Sequence, residues 1–287
     1  MQHQLISDQL KVLINHAGAE ICSVKNTRGV EYIWGGNVQV WARHAPVLFP
    51  IVGRLKNDVY TFNGHEYHLS QHGFARDMPF DLVKKNESCC IFELRETPET
   101  KRLYPFDFNL QISYELKGSV IFCAYTVKNP SAQSLFFSIG AHPGFNCPLN
   151  PDEKFEDYYL EFEHDKLVKT SLDAGLRLGT EKVHVEDKKL FLSKSLFDAD
   201  ALVFENNQVN KISLRSSKSD HGVTIGCAGW PYFGIWTKKG TSEFICLEPW
   251  YGITDGADAG GTLKKKAGIL ELVPQKEFSC SFWIEIL

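Results

Sequence analysis

The feature that most constrains this chain is a run of strict alternation near its middle. Phe106, Phe108, Leu110, Ile112, Tyr114 and Leu116 alternate with Asp107, Asn109, Gln111, Ser113 and Glu115. Side chains with a period of two line opposite faces of a strand, so this run reads as a strand with one buried and one wet face. Lys117-Gly118 marks a turn, and a second strand-like run from Val120 to Val127 completes a hairpin. Another hairpin is written in VYTF, Asn63-Gly64, HEYHL. Asn-Gly suits a tight hairpin turn because both central residues need positive φ. Further strand-like runs are Leu10 to Asn15, Ala19 to Lys25, Cys89 to Leu94, Leu135 to Ile139, Tyr158 to Phe162, Lys211 to Leu214, Val223 to Gly226, Phe233 to Trp236, Phe244 to Leu247 and Phe278 to Glu285. Helical periodicity is confined to short turns at Pro98 to Leu103 and Lys194 to Asp200. No βαβ alternation occurs, which argues against a parallel α/β sheet. The pattern predicts an all-β chain folded as a large antiparallel β-sandwich.

Length and charge narrow the function classes. The 287 residues show no repeat, low-complexity tract or linker, so one continuous domain over 1–287 is expected. A chain of this size buries a large core and needs no metal or disulfide staple. The net charge is −4, and the longest basic run is Lys264-Lys265-Lys266, which reads as a solvated loop. That is not the footprint of a nucleic-acid binder. The eight cysteines form no C-x-x-C pair, and adjacent Cys89 and Cys90 point to opposite faces of a strand. Cysteines in apolar strands behave as small hydrophobes. The first residues, MQHQLISDQLKV, lack the pattern of a secretory leader, and no apolar stretch approaches the ~18 residues of a membrane span. A cytoplasmic, reducing setting is expected. The Gly-rich patch 256-GADAGG-261 reads as a loop without the spacing of a phosphate cradle.

Four segments carry more chemistry than plain strands require. In 49-FPIVGRLKND-58, Arg54 follows Gly53; it is either a surface arginine or a donor fork for hydroxyls or a carboxylate. In 71-QHGFARD-77, His72 precedes Gly73, which permits close backbone approach, and Arg76 and Asp77 can pair locally. In 140-GAHPGFNCP-148, Pro143 presses His142 toward an extended backbone, and histidine is the side chain that titrates nearest neutrality. In 246-CLEPWYG-252, Glu248 interrupts an apolar run and is followed by Pro249. A carboxylate at the end of a buried strand is costly unless satisfied, either by a buried arginine or by a substrate hydroxyl that would make it a usable base. Trp34, Trp41, Trp230, Trp236, Trp250 and Tyr251 are candidates for a sugar platform, most of them core residues.

In this order and at these distances, the four segments resemble the aldose 1-epimerase (galactose mutarotase) family, in its bacterial aldose 1-epimerase-like branch, related to the hexose 6-phosphate mutarotases. The similarity runs from the opening GAE and EYIW strands to EPWYG. The family's Gly-Arg-x-x-Asn arginine matches Arg54, its His-Gly histidine matches His72, its acid histidine matches His142 and its base glutamate matches Glu248. An aspartate that binds sugar hydroxyls is placed at Asp200, with Asp198 as the alternative. The resemblance implies a large β-sandwich, a sugar substrate, an acid–base ring opening without metal or redox cofactor, and a monomer or homodimer that binds neither nucleic acid nor membrane. Two departures bear on substrate. Asp58 stands where a second arginine is usual, and Phe74 stands where the family has a second glycine. They leave open a hexose 6-phosphate, for which Arg43, Arg54 and Arg76 are the candidate donors. A non-catalytic sugar-binding module would need the aromatics but not His142 and Glu248. A glycoside hydrolase would need a second carboxylate in a comparable setting, and none is evident.

Overall fold

A computed structural model describes residues 1–287. The chain forms 24 strands and one α-helix, Pro98–Leu103, with five short 3-10 turns. The alternation becomes two large antiparallel sheets. One has nine strands in the order Lys189–Phe191, Tyr158–Phe162, Lys211–Ser216, Gly222–Gly226, Glu277–Ile286, Val120–Lys128, Asn109–Lys117, Cys89–Arg95 and Asp81–Lys85. The other has eight strands. Its main path is Leu176–Val183, Leu167–Asp173, Leu202–Phe204, Tyr232–Trp236, Phe244–Tyr251, Ile139–Ala141 and Val47–Leu48, and Gly144–Asn146 pairs beside it with Phe244–Tyr251. Between the sheets lies one cluster of 69 buried residues that draws on the chain from Leu5 to Ile286. Each large apolar side chain so buried contributes about 1.5–3 kcal/mol relative to exposure.

The expected hairpins are present at Val59–Phe62 with His65–His68 and at Asn109–Lys117 with Val120–Lys128. Several boundaries differ from the sequence reading. The run Leu135 to Ile139 is two strands, Leu135–Phe137 and Ile139–Ala141, in different sheets. The strand at 109 begins after Phe106 and Phe108, because Pro105 has no amide proton and the Phe106 amide turns back to the Tyr104 carbonyl at 2.8 Å. Both phenylalanines are nonetheless buried, so the alternation reported burial correctly while overstating pairing. The turn expected over Lys194 to Asp200 is a 3-10 turn at Lys194–Phe197. The strand expected to stop at Leu247 runs on through Glu248 and Pro249 to Tyr251. Glu248 therefore sits within a strand, not at its end.

That strand is buried on both faces. Ile245 and Leu247 belong to the main core, whereas Phe244 and Cys246 pack with Trp34, and Trp250 packs with Leu48, Val52 and Val203 on the opposite face. Burial on both sides explains the unbroken apolar run FICL. It also means that any polar group on the outer face is withdrawn from water.

Candidate active site

The position of the two central residues follows from two prolines. Ile139 pairs with Tyr251 and Gly140 with Trp250, while further along Gly144 pairs with Cys246. The register is the same on both sides of the interruption, so His142 stands directly opposite Glu248. Pro143 follows His142 and Pro249 follows Glu248, and neither can donate to a ladder. The sheet thus loses its regular hydrogen bonds across a cross-strand pair, where opposed side chains approach most closely. The remaining backbone groups hold the break in place. His142 N–H donates to the Pro46 carbonyl at 3.1 Å, and Leu247 N–H to the Pro143 carbonyl at 3.2 Å.

His142 Nε2 lies 3.2 Å from Glu248 Oε2, with both residues buried. The contact is not aligned as a hydrogen bond, so Glu248 Oε2 is left without a hydrogen-bond partner; the other ring nitrogen, His142 Nδ1, is buried without one as well. Burial pushes the Glu248 carboxyl well above the ordinary carboxylate range; the Trp250 side chain opposes this and Asp200 adds to it. Burial also pushes the His142 imidazole down to about 3, helped by the positive charge of Arg76. Both shifts favour uncharged forms. Trp41 stacks on the His142 ring with centroids 5.0 Å apart and 29° between planes. An aromatic face at that distance favours an imidazolium when one forms.

The pair forms the floor of a cavity of about 360 Å³. This is the size of a small-molecule site, and its lining mixes tryptophans and aliphatic side chains with convergent polar and charged groups. His72 lines it beside His142, with the two rings edge to face at 5.5 Å. The Gly53 amide donates to His72 Nδ1 at 3.1 Å, which places the ring proton of the neutral form on Nε2, 3.4 Å from the Gln71 side-chain amide. Burial and the neighbouring His142 hold His72 neutral, its pKa well below the usual histidine value. His72 itself takes positive φ at 69°, and a Cβ on Gly73 would meet the Phe49 carbonyl oxygen at 2.3 Å. The His-Gly pair is therefore a matter of backbone space as well as chemistry.

Arg54 also lines the cavity, but it is not a free fork. Its Nε and one terminal nitrogen donate to the two oxygens of Asp58 at 3.1 and 3.2 Å. The Asp58 carboxylate raises the Arg54 pKa further, and the other terminal nitrogen donates to the Ala174 carbonyl at 3.4 Å. Asp200 lines the cavity and Asp198 does not; Asp198 only accepts Lys239 through its carbonyl at 2.9 Å. Asp200 adopts φ of 151°, unusual for any residue but glycine, and caps its neighbour's amide at 2.7 Å. Of the aromatic candidates, Trp41, Trp236 and Trp250 line the cavity, while Trp34, Trp230 and Tyr251 pack elsewhere.

Sequence reasoning missed Gln71, Thr254 and the hairpin tip formed by Leu172, Ala174 and Gly175, all of which line the cavity. Thr254 Oγ1 bonds the carbonyls of Arg54 and Gly175, tying the tip to the arginine segment. The tip's only local signal was the turn sequence Asp173-Ala174-Gly175. Arg76 lines the cavity too. Its Nε is buried without a hydrogen-bond partner but lies 3.9 Å from an Asp77 oxygen, the local pairing expected from the sequence, and burial lowers its pKa to about 10. Arg43 is outside the cavity and paired with Asp77 at 2.8 Å, so the three arginines do not converge as one rim.

The aldose 1-epimerase family pattern matches residues 1–266. The chain belongs to the aldose 1-epimerase family. Two LacX proteins of Lactococcus lactis subsp. lactis, one plasmid-borne and one chromosomal, are each 33% identical over 298 residues, covering all of both chains. A galactose mutarotase related enzyme from Lactobacillus acidophilus is 38% identical with a TM-score of 0.96, covering 100% of this chain and 97% of that one. A galactose mutarotase-like protein from Lactobacillus casei ATCC 334 is 32% identical with a TM-score of 0.94, covering 100% of both. The all-β, galactose mutarotase-like architecture read from the sequence is thus shown at the level of fold and family. No helix of this family member is long and apolar enough to cross a membrane.

Proposed function

We propose that this aldose 1-epimerase family member is a mutarotase that interconverts the α and β anomers of an aldohexose. The observation that carries the reading is the His142–Glu248 pair, 3.2 Å apart on the floor of the cavity, with Glu248 Oε2 unpartnered. Glu248 is the base and His142 the acid. The Glu248 carboxylate removes the proton of the anomeric hydroxyl as the His142 imidazolium gives its Nε2 proton to the ring oxygen. The C1–O5 bond breaks, C1 becomes an aldehyde, and the C1–C2 bond rotates. Closure runs the same transfers backwards onto the other face. The pair carries one proton throughout, moved from one residue to the other by the reaction. The uncharged arrangement favoured by burial is the one left after ring opening. Starting from the closed sugar needs the proton on His142, a shift supported by substrate hydroxyls on Glu248 and by the Trp41 face. His72, Asp200 and Arg54 hold sugar hydroxyls away from C1, Arg54 with the donors that Asp58 leaves free. Each proton transfer of this kind contributes roughly 10²–10⁴-fold.

Two-dimensional exchange NMR on glucose and galactose tests the reading. Cross-peaks between α and β anomers should grow with enzyme concentration and vanish in Glu248→Gln and His142→Asn. A wild-type rate no faster than buffer, or full activity in both variants, contradicts it. One observation favours a second reading in which the sugar bears a 6-phosphate: Arg76 lines the cavity with a buried Nε that makes no hydrogen bond, its nearest carboxylate being Asp77 at 3.9 Å. Exchange accelerated only for glucose 6-phosphate or galactose 6-phosphate, and lost in Arg76→Gln, would select it.

A further inference from the structure

Cys246 precedes Glu248 by two residues and shares its face of the strand, yet proton transfer gives it no task. Its Sγ, a ring nitrogen of His142 and a carboxylate oxygen of Glu248 all lie within 4.8 Å of one another, and all three residues are buried. The His142 Nε2–Glu248 Oε2 separation is 3.2 Å. Two ligands bound to a zinc ion at about 2.0–2.1 Å with a tetrahedral angle between them stand about 3.3 Å apart. Two of the three ligands therefore already have the spacing of a tetrahedral site. The thiol, which must come within about 2.3 Å of the ion, is the one that has to close in. An independent sign is the Glu248 Oε2 atom, buried and without a hydrogen-bond partner.

We propose that His142, Cys246 and Glu248 form an inhibitory site for a thiophilic divalent cation such as Zn²⁺, which inserts between the acid and the base and blocks both. A neutral imidazole, a thiolate and a carboxylate around a dication make an assembly of zero net charge. A dry environment that penalises each charge alone accepts them together. Any proton these ligands carry goes to solvent on binding, and no electrons move. A thiolate in the set selects Zn²⁺ over Mg²⁺ and Ca²⁺. The blockade rests on the mutarotase reading, whereas the binding does not.

The test uses the full chain freed of metal by chelation, with Co²⁺ as spectroscopic probe and Zn²⁺ as inhibitor. Wild type should develop a thiolate-to-cobalt charge-transfer band that saturates at one ion per chain and disappears on adding Zn²⁺. Zn²⁺, but not Mg²⁺, should stop anomer exchange, and a chelator should restore it. Cys246→Ser should lack the band and keep its metal-free activity. Even outer partners of a metal are worth roughly 10–100-fold in affinity, so loss of this ligand should raise the half-inhibiting Zn²⁺ concentration by at least that much. If the serine variant fails to fold, Cys246→Ala gives the same readouts, and His142→Asn should weaken the band with the thiol intact. No band in wild type, or unchanged zinc sensitivity without Cys246, overturns the proposal. A normal band in a chain that does not exchange anomers would leave the site standing and remove the mutarotase reading instead.

Discussion

The two faces of the strand Phe244–Tyr251 are both buried, and they are buried for different ends. On one face Ile245 and Leu247 join the main core and carry no polar atoms to satisfy. On the other, Glu248 and Trp250 face a cavity together with His142 and Arg76. Nine buried side-chain polar atoms of the chain lack a hydrogen-bond partner, and four of them belong to these four residues. An unsatisfied buried polar group costs about 1–3 kcal/mol. A fold that concentrates such groups in one cavity holds donors and acceptors ready for a ligand. The core face supplies the stability that makes this tolerable.

Substitutions on adjacent residues should separate the two roles. The largest effect is expected from Glu248→Gln, with anomer exchange falling roughly 10²–10⁴-fold. Thermal denaturation of the same variant should show a melting temperature equal to or above wild type, since a buried carboxyl is replaced by a neutral amide. Leu247→Ala, one residue away, should do the opposite. It should cost about 2–5 kcal/mol in urea unfolding, as core truncations do, while the folded fraction exchanges anomers normally. If Leu247→Ala abolishes activity at full folding, or Glu248→Gln melts well below wild type, the division between faces fails. Trp41→Ala comes next. Removing an aromatic face stacked on His142 at 5.0 Å should lower kcat by roughly fivefold, the equivalent of about 1 kcal/mol of support for the imidazolium. A change confined to KM would make Trp41 a sugar platform instead. Asp58→Asn should have the smallest effect. The Arg54–Asp58 pair is half exposed, so the melting curve should not move, and only KM should shift as Arg54 is released toward the sugar.

The same contrast explains what was legible in the sequence. Strand order of burial was readable wherever one face is wet, as at Asn109–Lys117, because alternation is then visible. It was hidden where both faces are buried, so the strand through Glu248 read as ending at Leu247. The His142–Glu248 pair was legible because each residue is polar in an apolar setting and each is followed by proline. That their prolines break one ladder at one register could not be read, since register belongs to the pairing of distant segments. Arg54 was singled out, but its pairing with Asp58 depends on side-chain geometry. Gln71, Thr254 and the tip at Ala174-Gly175 were missed because small or common residues reach a site through long-range packing alone.

The most direct test of the central claim is exchange NMR of glucose and galactose, and of their 6-phosphates, with wild type and Glu248→Gln at equal concentration. The account predicts α–β exchange that rises linearly with wild-type enzyme for at least one of these sugars and stays at the buffer rate with the variant. Exchange at the buffer rate for all four with wild type, or equal acceleration by both proteins, would contradict it.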